Sequence, residues 1–548
     1  MGTITGSEVL AQSLRSQGTD TLFYLMGGPM LETEAACIAL GIRAIDHRHE
    51  QAAAFAAHAW TRVTRRPGVC MGCSGPGATN LLTGVANAFT DAAPLVAIGG
   101  SSPRVYLGME AFQEIDQVAV FRPVTKWAER IYDAKRIPDM VQTAFRQATT
   151  GRPGPVYLDL PGDVLGEKVE ESSIVYPPAW RPAPRTLGDP GGIREAIALL
   201  AKAERPVVIA GSGVWWSDGA TALQAFVEAA GIPFYTTPIS RGLIPEDHAL
   251  AFLNARSKAF TEADVVLAVG TRFNWVIQFG RPPRFAAELK VIHVDVNPTQ
   301  LGHNRDVDVP IAGDARAVLE QLLAEAQGKI DPRRYNAWVG KLRVLDGEKL
   351  AEQDKAMSSA ATPIHPLRLC KEVRDFLRRD AILVVDGQEI LNFGRQAIPT
   401  FMPGHRLNSG AFGCMGVGLP FGVGAKVAKP DAQVVVLHGD GSFGINAMDI
   451  DTAVRHKIPV IVVISNNGGW TADAPWTRPL PKPGRTLGHT RYDKVAQDLG
   501  AHGEFVEKPH DIRPALERAY ASGKPAVVNV ITDHKARAQT VRFSAYTT

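Results

Sequence analysis

VVVLHGDGSFGINAMDIDTAVRHKIPVIVVISNN, residues 434–467, reads as a strand, a glycine turn, a helix and a second strand. Two apolar runs joined through a helix are the pattern of neighbouring parallel strands, so Asp440 and Asn467 are expected at the carboxyl ends of such strands. Open parallel sheets bind ligands at that edge. Working outward, AILVVDG and AVVNVIT repeat the theme of an apolar run feeding a loop, and they define a block over residues 363–533. Two further blocks carry the same alternation. The first spans residues 1–165 with TDTLFYLMG, GVCMGC, PLVAIGG and GPVYLDLP, and the second spans 186–330 with RPVVIAG, DVVLAVG and KVIHVDV. A proline-rich, charged linker, GEKVEESSIVYPPAWRPAPRT, separates them. The expected architecture is α/β, with three doubly wound parallel-sheet domains, the first and third sharing a similar element order. Residues 534–548 lack such a pattern and read as a tail or lid.

Composition bounds the function. The 548 residues are 45% hydrophobic and 21% charged, which suits a multidomain globular chain. A net charge of +3 with scattered basic residues gives no stripe for nucleic acid. No apolar run approaches the length of a membrane span and no leader precedes the first block, so the expected setting is the cytoplasm, without nucleic acid or membrane as partner. The five cysteines include a lone C-x-x-C, Cys70 and Cys73, without further metal-ligand spacing, and a structural role is expected.

The turn after Val434–Leu437 has the parts of a metal–diphosphate site. Mg²⁺ takes oxygen ligands and shares them between protein, phosphate and water. Gly439, Gly441 and Ser442 form a tight turn at a helix start, where free N–H groups favour phosphate oxygens. Asn467 ends the next strand. This G-D-G…N-N arrangement resembles that of the thiamine-diphosphate enzymes, and the resemblance implies Mg²⁺ held by Asp440, Asn467 and the carbonyl of Gly469.

The resemblance extends over nearly the whole chain, in the order pyrimidine-binding domain, Rossmann-like central domain and diphosphate-binding domain. In IRAIDHRHEQAAAFAAHAWTR it implies that Glu50 hydrogen-bonds the cofactor's pyrimidine ring and activates it. GCSGPGATN, residues 72–80, becomes the wall beside that ring. In NSGAFGCMGVGLPFGVGA, small residues such as Gly413 permit close approach, and Met415 resembles the apolar residue that props the bent cofactor. DGQEILNFG places Gly387 and Gln388 at the diphosphate. The family builds its sites between subunits, which implies a homodimer or homotetramer in which Glu50 and Asp440 come from different chains.

Within the acetolactate synthase and benzoylformate decarboxylase superfamily, FQEIDQ with Gln113 resembles the substrate-side segment of both acetolactate synthases and acyl-CoA lyases. TRFNWVIQFGRPPRF and VIHVDVNPTQLGHNRDVDVPIAGDA resemble 2-hydroxyacyl-CoA lyases and oxalyl-CoA decarboxylases. Phe112 and Gln113 stand where the decarboxylases usually carry tyrosine and glutamate, which favours the lyase and a CoA thioester substrate. The lyase reaction breaks the C1–C2 bond of a 2-hydroxyacyl-CoA to give formyl-CoA and an aldehyde or ketone. The same likeness implies ADP, or the nucleotide part of CoA, at Arg152, Gly211, Asp295 and Asp314, although GSGVWWSDG lacks the third glycine and the distal acid of an NAD site. Asp473 resembles the acid of the pyruvate decarboxylase loop and is the candidate for proton transfer. His534, Lys535, Arg537 and Arg542 would meet CoA phosphates if the tail closes over the substrate. The competing readings are an acetolactate synthase-like or 2-oxoacid or oxalyl-CoA decarboxylase, and a non-catalytic homologue.

Overall fold

A computed structural model describes residues 2–180, 184–470 and 483–538. Three parallel sheets carry the chain. The first orders its strands Arg43–Asp46, Thr21–Tyr24, Gly68–Gly72, Leu95–Ser101, Val156–Pro161 and Ala128–Arg130. The third orders Arg406–Leu407, Ile382–Asp386, Val434–Gly439, Ile461–Asn466, Ala526–Ile531 and His502–Val506. Numbered within each sheet, the two orders are the same. The central sheet has five parallel strands, Phe234–Thr236, Pro206–Ala210, Val265–Val269, Lys290–Asp295 and Val309–Ala312. Most residues of these strands are buried, because helices cover both faces and leave no solvated side for polar alternation. Residues beyond 165 remain tied to the first sheet's domain, since Lys168–Glu170 pairs antiparallel with Thr3–Thr5. No described helix is long and apolar enough to cross a membrane. Cys70 lies buried in its strand and Cys73 just beyond it, both as free thiols.

Helix Glu50–Thr64 is the central strut. Its alanine-rich sequence follows from where it lies: it has helix Pro76–Thr90 on one side and helix Gly418–Ala428 of the third domain on another. The backbones approach so closely that a Cβ added at Gly424 would lie 2.1 Å from the Ala56 carbonyl oxygen, and one at Gly84 would lie 2.4 Å from the Ala54 Cβ. Only small side chains fit these crossings, and helices made of them pack backbone to backbone. A chain of helical residues 50–64 thereby joins the first domain to the third and fixes the direction of both its ends. Replacing Gly424 with valine should push the two helices apart at a cost of about 1–3 kcal/mol, the range for overpacking a filled core. Calorimetry of the cofactor-free protein should show the loss as a lower unfolding midpoint, and an unchanged midpoint would contradict the tight crossing.

Candidate active site

Strands Val434–Gly439 and Ile461–Asn466 are parallel neighbours, with Gly439 opposite Ser465. Asp440 and Asn467 therefore leave the sheet side by side. They line one cleft with Gly387, Gln388, Met415, Gly439, Gly441 and Ser442, and Gly469 joins them there. Gly413 has a positive φ of 75° and lies two positions before Met415, outside the lining. Asp440 is 3% exposed, and its Oδ2 is buried without a hydrogen-bond partner. Burial pushes its carboxyl up to about 6, against the pull of the N–H groups of Gly441 and its neighbours. An orphaned carboxylate oxygen beside a side-chain amide and a free turn fits a hard cation bridging to phosphate. Thiamine diphosphate with Mg²⁺ fits these donors.

The structure also shows how the turn is held. His438 accepts the Leu419 N–H at Nε2 (3.0 Å), so its proton sits on Nδ1 and is donated to Ser442 Oγ at 2.9 Å. The Ser442 hydroxyl in turn donates to the Gly439 carbonyl (3.1 Å). Its proton is thus spent on the turn itself. Asn466 faces away from Asn467: its amide donates to the Thr490 carbonyl and to Asn529 Oδ1, both at 3.0 Å, and its Oδ1 accepts from Gly468 N–H at 3.3 Å. The first asparagine of the pair shapes the loop, and the second faces the cleft. Sequence reading had not singled out Ser465, Glu389, Trp470 or Asp533, which also line it. The first tail residues cross the same edge, where Ala536 lines the cleft and the Ala538 N–H donates to Glu389 Oε2 at 2.9 Å. His534, Lys535 and Arg537 are exposed. Asp473 and Arg542 lie outside the described residues.

Glu50 opens its helix as expected, after His49, whose ring nitrogen accepts from the Gln51 N–H. It is 6% exposed, and its Oε2 accepts from Asn80 Nδ2 at 3.0 Å. Gln117, buried, accepts the Gly75 N–H at 2.6 Å and donates to the Gly100 carbonyl and Asp159, which anchors the glycine loop. Ser74 Oγ donates to Gln113 Oε1 at 2.5 Å. Gln113, Phe112, Cys73 and Ser74 line a groove of about 770 Å³ on this domain. Neither Glu50 nor Gln113 lines the Asp440 cleft. Within one chain the Asp440 cleft and the Gln113 groove are separate hollows.

Comparison with known proteins identifies the three domains. Residues 4–120, 193–322 and 391–530 match, in that order, the N-terminal TPP binding domain, the central domain and the C-terminal TPP binding domain of thiamine pyrophosphate enzymes. The chain is 38% identical over 543 residues to a probable acetolactate synthase of Mycobacterium bovis, covering 97% of this chain and 96% of the relative. It is 34% identical over 552 residues to 2-hydroxyacyl-CoA lyase 1 of Mus musculus, covering 97% and 94%. It is 34% identical over 537 residues to oxalyl-CoA decarboxylase of Escherichia coli K12, covering 96% and 95%. The chain belongs to the thiamine pyrophosphate enzymes.

Two more cavities of this thiamine pyrophosphate enzyme are charged. One, of about 780 Å³, lies at the carboxyl edge of the central sheet and is lined by Arg152, Asp295 and Asp314, together with Arg185 and Arg272. Burial, then Arg272, lowers Arg152 to about 10. Asp314 caps helix Ala315–Ala326 by accepting from the Arg316 and Ala317 N–H groups at 3.1 Å, so its carboxylate has structural work. Gly211 lies outside the lining: a Cβ there would meet the Gly270 carbonyl at 2.3 Å, and its neighbours Ser212 and Gly213 face the cavity instead. The other cavity, of about 280 Å³, lies between the central and third domains and is lined by Arg241, Arg256, Arg284, Arg395, Arg406 and Lys349. Glu246 is the one carboxylate in its lining, and Arg241 Nε and Nη2 already hold it at 2.7 and 2.5 Å. The side chains of Arg256 and Arg395 make no hydrogen bond or ion pair among the described residues. Burial and then the neighbouring arginines push Arg256 down to about 9. These arginines are scattered through the sequence between positions 241 and 406, so no linear motif could have announced them.

Two outcomes follow. Asp440→Asn removes a buried unpartnered charge and should raise the unfolding midpoint of cofactor-free, chelated protein by about 1 kcal/mol of stability while abolishing the stabilisation that Mg²⁺ plus thiamine diphosphate gives the parent. Thermal scans with and without the two ligands check both. Glu50→Gln should still bind the cofactor yet slow exchange of its C2 proton, measured by NMR, because an amide cannot serve the pyrimidine as a carboxyl does. Exchange at the parent rate would leave Glu50 as a helix-end residue only.

Proposed function

We propose that this enzyme cleaves a 2-hydroxyacyl-CoA between C1 and C2 to give formyl-CoA and an aldehyde or ketone, and runs the condensation in reverse. The cationic cavity carries this reading. CoA brings phosphates, and four guanidinium groups with a lysine, left without carboxylates, form a site that an extended polyanion would neutralise. The lyase-named relatives support the same assignment, and the three family domains support the coarser one of a thiamine-diphosphate enzyme.

Bound thiamine diphosphate supplies the carbon nucleophile for the thioester carbonyl and the sink for the electron pair of the broken bond. The protein's residues do the rest. Asp440, Asn467 and the Gly469 carbonyl would hold Mg²⁺, and Gly387, Gln388, Gly439 and Gly441, which line the same cleft, would take the diphosphate. Met415 supports the cofactor, and Glu50 meets its pyrimidine. Gln113, whose Oε1 is taken by Ser74, keeps its Nε2 as a donor toward a carbonyl or 2-hydroxyl in the groove. Because Glu50 does not line the Asp440 cleft of its own chain, a homodimer or homotetramer that brings one chain's Glu50 to another's cleft would complete the site. The Arg152, Asp295 and Asp314 lining supports a reading of the central cavity as an ADP site, and His534, Lys535 and Arg537, exposed beside the cleft, would meet the phosphates of the CoA ester.

The second reading, acetolactate synthase-type condensation, is favoured by the 38% identity to the mycobacterial relative. Product analysis by mass spectrometry with 2-hydroxyacyl-CoA and with pyruvate separates the two. Formyl-CoA and an aldehyde are expected from the first substrate. Arg256→Gln and Arg395→Gln should each raise KM for the CoA ester about tenfold or more with little change in kcat, the size of a lost charge-assisted contact. Conversion of pyruvate with no turnover of any CoA ester would overturn the proposal.

A further inference from the structure

Helix Glu50–Thr64 carries a second set of polar contacts at its far end. Arg62 is 1% exposed, and its guanidinium donates from Nη1 to the Asn408 carbonyl at 2.5 Å and from Nη2 to the Arg406 carbonyl at 3.3 Å. Both acceptors belong to the third domain. Asp91, fully buried just after helix Pro76–Thr90, lies with its Oδ2 3.5 Å from the same Nη1 and accepts the Ala411 N–H at Oδ1, 3.4 Å away. His58 accepts from Asn87 Nδ2 at its Nδ1 (3.1 Å), so its remaining proton is on Nε2, which faces Asp91 Oδ2 at 3.6 Å. Gly410 is built around the carboxylate: its φ is +62°, and a Cβ there would lie 2.0 Å from Asp91 Oδ1. Asn408 Oδ1 accepts the Gly410 N–H at 2.9 Å, and Trp275 of the central domain donates to the Ala411 carbonyl at 2.8 Å.

The first and central domains therefore both grip residues 408–411 of the third, a segment that lines the cationic cavity through Asn408, Ser409 and Gly410 but contributes no residue to the Asp440 cleft. The chain runs from it directly to Met415, which does line the cleft, and then into helix Gly418–Ala428. A buried guanidinium with two carbonyls and a carboxylate in fixed directions specifies geometry in a way apolar packing does not.

We propose that Arg62 and Asp91 are positioning residues for the cofactor: they clamp the Asn408–Ala411 loop of the third domain onto the first and so set Met415 at the diphosphate cleft before any cofactor arrives. Neither residue touches the reacting atoms. Their effect is on how well the empty protein is organised to bind, and an outer support of this kind acts on affinity more than on the chemical step.

Two experiments test this. Amide hydrogen exchange on the parent protein without cofactor should show residues 408–411 already protected, with little further change when thiamine diphosphate and Mg²⁺ are added. In Arg62→Lys the charge opposite Asp91 remains, but one ammonium cannot span both carbonyls. Cofactor titration by tryptophan fluorescence should then show half-saturation at about tenfold higher thiamine diphosphate, with kcat at saturating cofactor within about twofold of the parent. Gly410→Ala should shift cofactor affinity in the same direction. The clamp is refuted if residues 408–411 exchange freely in the cofactor-free parent, a measurement that stands even if neither variant folds. It is equally refuted if Arg62→Lys folds and binds thiamine diphosphate as the parent does, because a purely structural role would lower the unfolding midpoint and leave cofactor affinity alone.

Discussion

The backbone-to-backbone crossing of helix Glu50–Thr64 with helix Gly418–Ala428 is the constraint on which the other features rest. With Gly424 seated against the Ala56 carbonyl, neither helix can rotate or slide without a clash. One end of the strut then presents Glu50 in a fixed direction, and the other delivers Arg62 to the carbonyls of residues 406 and 408. The same contact orients helix Gly418–Ala428, whose first turn holds His438 through the Leu419 N–H and so steadies the turn that bears Asp440. Packing in the core is thus converted into the placement of Glu50 at one end of the strut, Arg62 at the other and the turn that bears Asp440.

The Asp440 cleft and the Gln113 groove differ in what they lack. The cleft at Asp440 has a carboxylate oxygen with no partner and a loop of small residues, a combination that stays costly until a cation and phosphates enter. The groove at Gln113 has a hydroxyl already engaged by the Gln113 amide oxygen, with the amide nitrogen left to donate, and an exposed apolar rim at Phe112, Met109 and Tyr106. Rims of this kind are normally covered in the functional assembly. The proposed pairing of two copies would account for both the separate hollows within one chain and the exposed rim.

Much of this was legible in the sequence because local chemistry dictated it. The continuous apolar runs around Asp440 and Asn467 could only be adjacent buried strands, and the glycine turn with its acid had to face the carboxyl edge. Glu50 was legible for a similar reason, standing where an alanine-rich helix begins. Roles set by long-range contacts were not. The Ser442 hydroxyl is engaged by His438 and Gly439, which leaves its place in the turn rather than its side chain to face the cleft, and Gly211, in a loop with the start of a nucleotide motif, is pressed against Gly270. Asp314 faces the cavity as expected but also works as a helix cap. The cationic cavity was invisible for a simpler reason, since its arginines come from separate elements of two domains and meet only in three dimensions.

The claim that organises this account is that Glu50 of one chain serves Asp440 of another. The most direct measurement is activity after mixing two inactive proteins, Glu50→Gln and Asp440→Asn, refolded or co-expressed together. In a mixed dimer one site would receive both substitutions and the other neither, so a statistical mixture should recover about a quarter of the parent activity. Mixed samples that remain as inactive as either variant alone would show that each chain completes its own site, and the account would be wrong at its centre.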